Sequence, residues 1–189
     1  MAEPVQPVAR RVRAIPEEKA RLLVRHGVGR AWHGRSLEDV PGAGPLLAWL
    51  RDGAAVAEVD AGRGWTLTGG SAGYDATVLL CKSLFFRGRG VDFVRLAGLV
   101  GHVRRGTERL EELAEVRVLA VADLYSPWGR ERSCPWDGAT MREVEDFLDA
   151  RLDAGLALVA HFAAPCPPGE WWSEPFLSRL GRTNRGLSL

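Results

Sequence analysis

The sequence predicts an α/β fold in which a parallel sheet lies between two layers of helices. Two nearly continuous apolar runs, residues 117–122 and 156–160, have the length and composition of strands that are buried on both faces. After Gly64, segments with strand character alternate with helical patterns. This alternation is typical of parallel sheets with helical crossovers, so we expect a three-layer αβα arrangement.

The size and composition of the chain indicate one domain with a full core. It has 189 residues, of which 46% are hydrophobic and 26% are charged, and its net charge is +1. Residues 1–15 are rich in arginine and proline without a clear period, so we predict a loose basic tail followed by a single core domain over residues 16–189.

Local signals place the other elements. Helices are predicted where apolar residues recur at helical spacing between a proline or acidic start and a glycine stop, at residues 16–26, 45–51, 77–86, 96–105, 109–114, 140–153 and 171–182. Two further strands are predicted at residues 65–68 and 91–94, and residues 28–40 and 126–139 are predicted to be loops. The helix at 140–153 is expected to begin with a capping box formed by Thr140 and Glu143.

Several functional classes are disfavoured by composition. The chain has no run of about 18 apolar residues and no apolar stretch of a secretion signal, so we expect a cytoplasmic protein without membrane contact. The three cysteines, Cys81, Cys134 and Cys166, have no paired spacing, which predicts free thiols. The histidines share no ligand spacing with them, so no metal site is expected.

A glycine-rich turn at residues 69–77 follows the strand at 65–68, where a phosphate-binding loop would lie. In the form G-x-x-x-x-G-K-[ST], such a loop wraps backbone N–H groups around phosphates and its lysine neutralises them. Gly70, Gly73 and Thr77 fall at places expected for the glycines and the hydroxyl residue. Asp75 replaces the second motif glycine and Ala76 replaces the lysine.

The two replacements oppose nucleotide binding. A carboxylate against a nucleotide phosphate costs about 4 kcal/mol at an effective dielectric near 20, and no neighbour in the sequence is expected to offset Asp75. Lys82 lies nearly two helical turns beyond Ala76, so we expect a solvated lysine that does not substitute for the missing one. The alternative is an ordinary turn that joins a strand to a helix.

Ligands of open α/β sheets bind at the carboxyl ends of the strands. In this chain that edge would gather the 69–77 turn, Asp123 after the strand at 117–122, and His161 after the strand at 156–160. Asp123 is either a retained metal ligand or base, or a carboxylate that terminates a strand.

The order of these elements resembles the ATPase core of bacterial helicase loaders and their transposition relatives, the DnaC-like and IstB-like AAA+ proteins, from about residue 25 to residue 182. The segments that carry the resemblance are Arg25-His26-Gly27-Val28, residues 36–39, residues 86–94, residues 118–125, residues 156–162 and residues 176–180. It implies a P-loop NTPase-like core in which residues 118–125 form the Walker B strand. It also implies a trans-acting arginine on the last helix, where Arg179 and Arg182 lie.

The departures from the family pattern fall on its chemistry. Ala122 stands in place of the first Walker B acid, which leaves Asp123 alone, and Phe162 stands where the sensor asparagine is expected. Phosphoryl transfer depends on a lysine at the phosphates, a magnesium ion and an oriented water. We therefore interpret Gly70, Gly73, Thr77 and Asp123 as a vestigial nucleotide site, with no catalytic residue and no cofactor.

A second candidate surface is the loop at residues 126–139. Trp128, Arg130 and Arg132 combine aromatic and cationic side chains, which suits stacking on bases or docking on a protein. Buried anchors of the loop would explain the tryptophans equally well.

The leading hypothesis is a pseudo-ATPase of the helicase-loader type that acts by protein binding in the replication of a chromosome, phage or mobile element. Its expected partner is a replicative helicase or an active loader relative, and self-assembly is possible. One alternative is a divergent ATPase that still binds ATP and magnesium through Gly70, Gly73, Thr77 and Asp123. Another is a DNA-binding module that uses arginines of the tail and of the helix at 96–105, namely Arg10, Arg11, Arg13, Arg104 and Arg105.

Overall fold

A computed structural model describes residues 15–126 and 134–189. Its helices are α1 (Glu17–Arg25), α2 (Gly44–Arg51), α3 (Ala54–Asp60), α4 (Ser71–Phe85), α5 (Leu96–Arg105), α6 (Glu108–Glu115), α7 (Gly138–Asp153) and α8 (Glu174–Thr183). Its strands are β1 (Gly64–Thr68), β2 (Val91–Arg95), β3 (Val118–Tyr125), β4 (Ala157–Phe162) and β5 (Asn184–Ser188). The predicted loop at 28–40 contains two short 3₁₀ turns, Arg30–Trp32 and Leu37–Asp39.

The five strands form one parallel sheet in the order β2-β3-β4-β1-β5. The register aligns Trp65 of β1 with Val159 of β4, and Val121 of β3 with Ala160 of β4. The β3–β4 register shifts between Val121 and Tyr125, where β3 reaches the carboxyl edge of the sheet. Because all strands are parallel, their carboxyl ends lie along one edge.

Alternate strand residues face opposite helical layers. Leu67 and Ala120 pack in a core with the buried faces of α1, α2, α3 and α4, whereas Val121 and Ala160 pack in a core with those of α5, α6, α7 and α8. The predicted three-layer αβα arrangement is confirmed. Among the described residues, no helix combines the length and apolarity needed to cross a bilayer.

The predicted starts of the helices at 140–153 and 171–182 are wrong, because each helix is capped by a residue other than the one predicted. The N-cap of α7 is Asp137, whose side chain accepts from the N–H of Thr140 at 2.9 Å, so the predicted capping box of Thr140 and Glu143 does not begin the helix. The N-cap of α8 is Ser173. Trp171 and Trp172 therefore precede α8, and Trp172 is buried in the core with its Nε1–H donated to the carbonyl of Leu124.

A buried arginine joins α7 to the end of α6. Arg151 is 2% exposed, and its guanidinium donates to the carbonyl oxygens of Leu113, Ala114 and Val116 at 2.5 to 2.8 Å. Burial lowers the pKa of Arg151 to about 10. The last turn of α6 leaves carbonyls without helical partners, and this side chain satisfies them inside the second layer.

Candidate functional site

The junction between β1 and α4 does not form a phosphate-binding loop. β1 ends at Thr68 and α4 begins at Ser71, so only Gly69 and Gly70 separate the two elements. The predicted start of this helix at residue 77 is therefore wrong. The N–H of Tyr74 already donates to the carbonyl of Gly70 at 3.1 Å, in the helical i to i−4 pattern. Residues 71–77, which would surround the phosphates in a phosphate-binding loop, therefore form the first two turns of α4.

Gly73 and Thr77, two of the predicted site residues, lie buried within this helix. The hydroxyl of Thr77 donates to the carbonyl of Gly73 at 2.8 Å, which is the usual back-bond of a helical threonine. A side chain at Gly73 would come within 3.0 Å of Cδ2 of His161. Gly73 therefore allows α4 to approach His161 of β4, and Thr77 does not present its hydroxyl to the carboxyl edge.

His161 connects the ends of three strands. It is 1% exposed, its Nε2 lies 2.8 Å from the carbonyl oxygen of Gly69, and its Nδ1 accepts from the N–H of Asp123 at 3.2 Å. A neutral ring protonated at Nε2 satisfies both contacts. The prediction that the 69–77 turn, Asp123 and His161 meet at one edge of the sheet is confirmed for Gly69, the first residue of that turn.

Asp123 occupies an unusual backbone conformation at this edge. Its φ is +61°, and it is the one described residue other than glycine with a positive φ. It lies within the register shift of β3, and its carboxylate accepts from Nε of Arg95 at 2.8 Å. Sequence reasoning missed Arg95. The signal was its position as the last residue of β2, since the carboxyl ends of parallel strands share an edge.

Asp75 also has an arginine partner, contrary to the prediction that nothing offsets it. Its Oδ2 lies 2.6 Å from Nη2 of Arg35, whose guanidinium in turn lies 4.7 Å from the ring centroid of Trp32. Arg35 comes from the segment between α1 and α2, forty residues earlier in the chain. Both carboxylates near the expected phosphate position, Asp75 and Asp123, are therefore paired with guanidinium groups.

Tyr74 covers the strand ends from the first turn of α4. Its ring centroid lies 5.8 Å from that of Phe93, 6.0 Å from that of His161 and 5.9 Å from that of Trp32, and the guanidinium of Arg95 lies 5.8 Å from it. Burial raises the pKa of the Tyr74 phenol. The carboxyl edge above β2 and β4 is thus occupied by the protein's own aromatic ring.

Lys82 is not the solvated lysine that the sequence predicts. Its Nζ donates to the carbonyl oxygens of Trp32, His33 and Arg35 at 3.0, 2.9 and 2.5 Å. Burial lowers its pKa. The side chain joins the segment between α1 and α2 to the last turn of α4, and this segment carries the Arg35 that pairs with Asp75.

The remaining predicted interaction residues are only partly placed. On α8, Arg179 donates to Asp149 at 3.3 Å and also to Asp153, both on α7. Arg182 donates to Oγ of Ser178 at 2.9 Å. Residues 127–133, which include Trp128, Arg130 and Arg132, lie outside the described residues, as do residues 1–14 of the predicted tail. Within residues 15–126 and 134–189, no group of three or more metal-ligating side chains is assembled.

Comparison with known proteins identifies solved structures that have a similar fold. No protein-family model and no curated protein sequence matches the chain. Among solved structures, the DnaC helicase loader aligns over 85% of this chain and 99% of its own, with a TM-score of 0.67 and 14% identity. AMPPCP-bound DnaA from Aquifex aeolicus aligns over 85% of this chain and 51% of its own, with a TM-score of 0.58 and 14% identity.

A third similar structure is a putative primosome component from Streptococcus pyogenes serotype M3, which aligns over 84% of this chain and 87% of its own with a TM-score of 0.51 and 16% identity. This chain spans almost the full length of the DnaC structure and about half of the DnaA structure. The predicted resemblance is confirmed at the level of the fold, because the chain shares the fold of the DnaC helicase loader and of DnaA.

Proposed function

We propose that this chain, whose fold is that of the DnaC helicase loader and of DnaA, is a nucleotide-independent protein that acts in DNA replication by binding other proteins. Its partner in this proposal is a replicative helicase or a catalytically active relative of the loader type. The fold would supply a shape that fits a replication assembly, without the chemistry of ATP hydrolysis.

The observation that carries the proposal is the start of α4 at Ser71. A phosphate-binding loop holds phosphates because its backbone N–H groups converge on them from a loop. In this chain the residues after Gly70 are helical, so the N–H of Tyr74 donates to the carbonyl of Gly70 within the helix and is not free to bind a phosphate. The free N–H groups of one helix start can attract an anion, but they do not enclose a triphosphate.

The side chains at the carboxyl edge support the same proposal. A magnesium ion bound to ATP takes oxygen ligands from a hydroxyl and a carboxylate. The hydroxyl of Thr77 is buried and donates to Gly73, and the carboxylate of Asp123 accepts from Arg95. Binding of ATP with magnesium would require both contacts to break while Asp75 remained nearby.

The contacts of Arg179 support action without catalysis between subunits. A trans-acting arginine must extend toward a neighbour's phosphates to stabilise the transition state. Arg179 instead contacts two carboxylates of its own chain, Asp149 and Asp153, with its side chain 28% exposed. Joining α7 to α8 is therefore sufficient to explain this residue.

The first experiment is calorimetric titration of the protein with ATP and with ADP in the presence of magnesium, at high micromolar protein concentration. We expect no saturable heat for either nucleotide. Micromolar binding of ATP that Asp123→Ala abolishes would contradict the proposal and favour a divergent ATPase. The matched control is Asp146→Ala, which removes an exposed carboxylate from the middle of α7.

The second experiment measures direct binding to a purified replicative helicase and to a purified active loader from the same source. We expect binding to at least one of them, with the same affinity whether or not ATP is present. Absence of binding to both proteins, together with DNA binding that weakens steeply as salt increases, would instead favour a DNA-binding module.

A further inference from the structure

A groove separates α8 from the β1 and β5 end of the sheet. Its volume is about 530 Å³, which lies within the range of about 300–1,000 Å³ that is typical of small-molecule sites. Small side chains form its floor and apolar side chains form its walls; the residues that define it are Thr66, Thr68, Phe162, Leu177, Leu180 and Gly186. None of the four residues of the predicted nucleotide site lines this groove.

Two glycines keep the groove open. A Cβ atom built at Gly181 of α8 or at Gly186 of β5 would meet nothing within 4 Å, and neither residue has a positive φ. Glycine inside a helix or strand is less favourable than alanine by about 0.5–1 kcal/mol. Unlike Gly73, which the approach of His161 requires, these two glycines are required neither by backbone conformation nor by crowding. Their effect is to leave space in the groove that a larger side chain at either position would occupy.

The charge that lines the groove is negative. Glu174, in the first turn of α8, lines it and has no hydrogen bond or ion pair within the part of the chain that the structure describes. Near the other end of α8, the guanidinium of Arg182 donates to Ser178. Arg182 lies eight residues from Glu174, which is about 12 Å along a helix, so the two charges mark opposite ends of α8.

We propose that this groove binds a small organic cation with an apolar body. The ammonium group of the ligand lies against the carboxylate of Glu174, and its apolar part covers the floor formed by Thr66, Thr68 and Gly186. The chemistry of the lining selects this class, because the walls are mostly apolar and the one charged side chain in the lining is the carboxylate of Glu174, which has no ion-pair partner within residues 15–126 and 134–189. The inference is independent of the role in replication.

The test uses three probes of the same shape: 2-naphthylmethylammonium, the neutral 2-naphthylmethanol and the anionic 2-naphthoate. Cys166 lines the groove and supplies the readout, because a bound probe shields its thiol from iodoacetamide. Cys134 does not line the groove and serves as the internal reference in the same digest. We expect the cation to protect Cys166 at a concentration at least fivefold lower than the anion, without an effect on Cys134.

Three variants decide where the probe binds. Gly181→Leu fills the groove from α8 and Gly186→Leu fills it from β5, and each is expected to weaken protection at least tenfold. If one of the two variants melts at a lower temperature than the parent, the other variant is used for the test. Glu174→Gln is expected to weaken the cation about two- to fivefold, as for an exposed ion pair, and to leave the neutral probe unchanged. The control, Gly138→Leu, alters an exposed glycine of α7 that also has open space around it.

Each remaining outcome overturns the proposal. Equal protection by all three probes would show an apolar cleft without selection for a cation. Protection that survives both Gly181→Leu and Gly186→Leu would place the probe elsewhere. Absence of saturable protection up to millimolar concentrations of every probe would show that the groove has no ligand of this class.

Discussion

Ala76 occupies the position at which a phosphate-binding loop carries its lysine, so Ala76→Lys tests how α4 begins. The side chain of Ala76 is fully buried in the core between the sheet and the first helical layer, where Leu67 and Leu80 are also fully buried. In a loop, a lysine at this position would reach toward the phosphates. In this helix, its ammonium group would enter an apolar core.

The size of the effect follows from the charge. A free lysine has a pKa of about 10.4, so keeping it neutral at pH 7 costs about 4.6 kcal/mol at about 1.36 kcal/mol per pH unit. Overpacking the core adds about 1–3 kcal/mol. Domains of this size unfold with about 5–15 kcal/mol, so Ala76→Lys is expected to leave the protein largely unfolded or barely stable at pH 7.

Urea denaturation followed by circular dichroism, at pH 7 and at pH 9.5, measures this cost. A buried lysine has a lowered pKa in the folded state, so the unfolded state binds more protons and the variant regains stability relative to the parent as the pH rises toward 10.4. The control is Ala57→Lys on the exposed face of α3, which is expected to change stability by less than about 0.5 kcal/mol. A variant Ala76→Lys that is as stable as the parent and binds ATP would refute the assignment of residues 71–77 to a helix.

Three further predictions follow from buried contacts. Lys82→Met removes three hydrogen bonds to carbonyl oxygens, so it is expected to lower the free energy of unfolding, measured in urea, by about 2–4 kcal/mol. The control is Lys19→Met, which changes the only other lysine and is expected to lower it by less than about 1 kcal/mol. Arg151→Met leaves buried carbonyls of α6 unpaired and should cost about 2–4 kcal/mol in the same assay, a result that unchanged stability would contradict. Burial raises the pKa of the Cys81 thiol, so a thiol reagent should modify Cys81 only after unfolding, and mass spectrometry of the digest checks this.

Most of the fold could be predicted because the central strands are apolar. β3 and β4 are buried on both faces, and their sequences contain almost no polar residue to obscure the strand pattern. The sequence did not predict α3, whose seven residues are too few to establish a helical period, or β5, whose sequence Asn184-Arg185-Gly186-Leu187-Ser188 lacks an apolar run. β5 is a strand because it pairs with β1, which is a tertiary contact.

The candidate site was predicted in its location but not in its internal contacts. The rule that parallel strands end at one edge placed Asp123 and His161 together, and the structure has them 3.2 Å apart between the Asp123 N–H and Nδ1. Arg35 and Arg95, which neutralise Asp75 and Asp123, come from elements that are distant in sequence. Local patterns do not report such pairs, and the glycines at 70 and 73 obscured the helix that begins between them.

The pairing of β1 with β5 sets the order in which the chain can fold during synthesis. Asn184 aligns with Gly64, so the two strands lie about 120 residues apart in the chain. At about 5–20 residues per second, a ribosome needs roughly 6–24 seconds to make the intervening segment. Throughout that time the nascent chain holds β1 without its outer neighbour, and an unpaired strand edge is a template for association with other chains. The strand that covers this edge, β5, is made after the other four described strands.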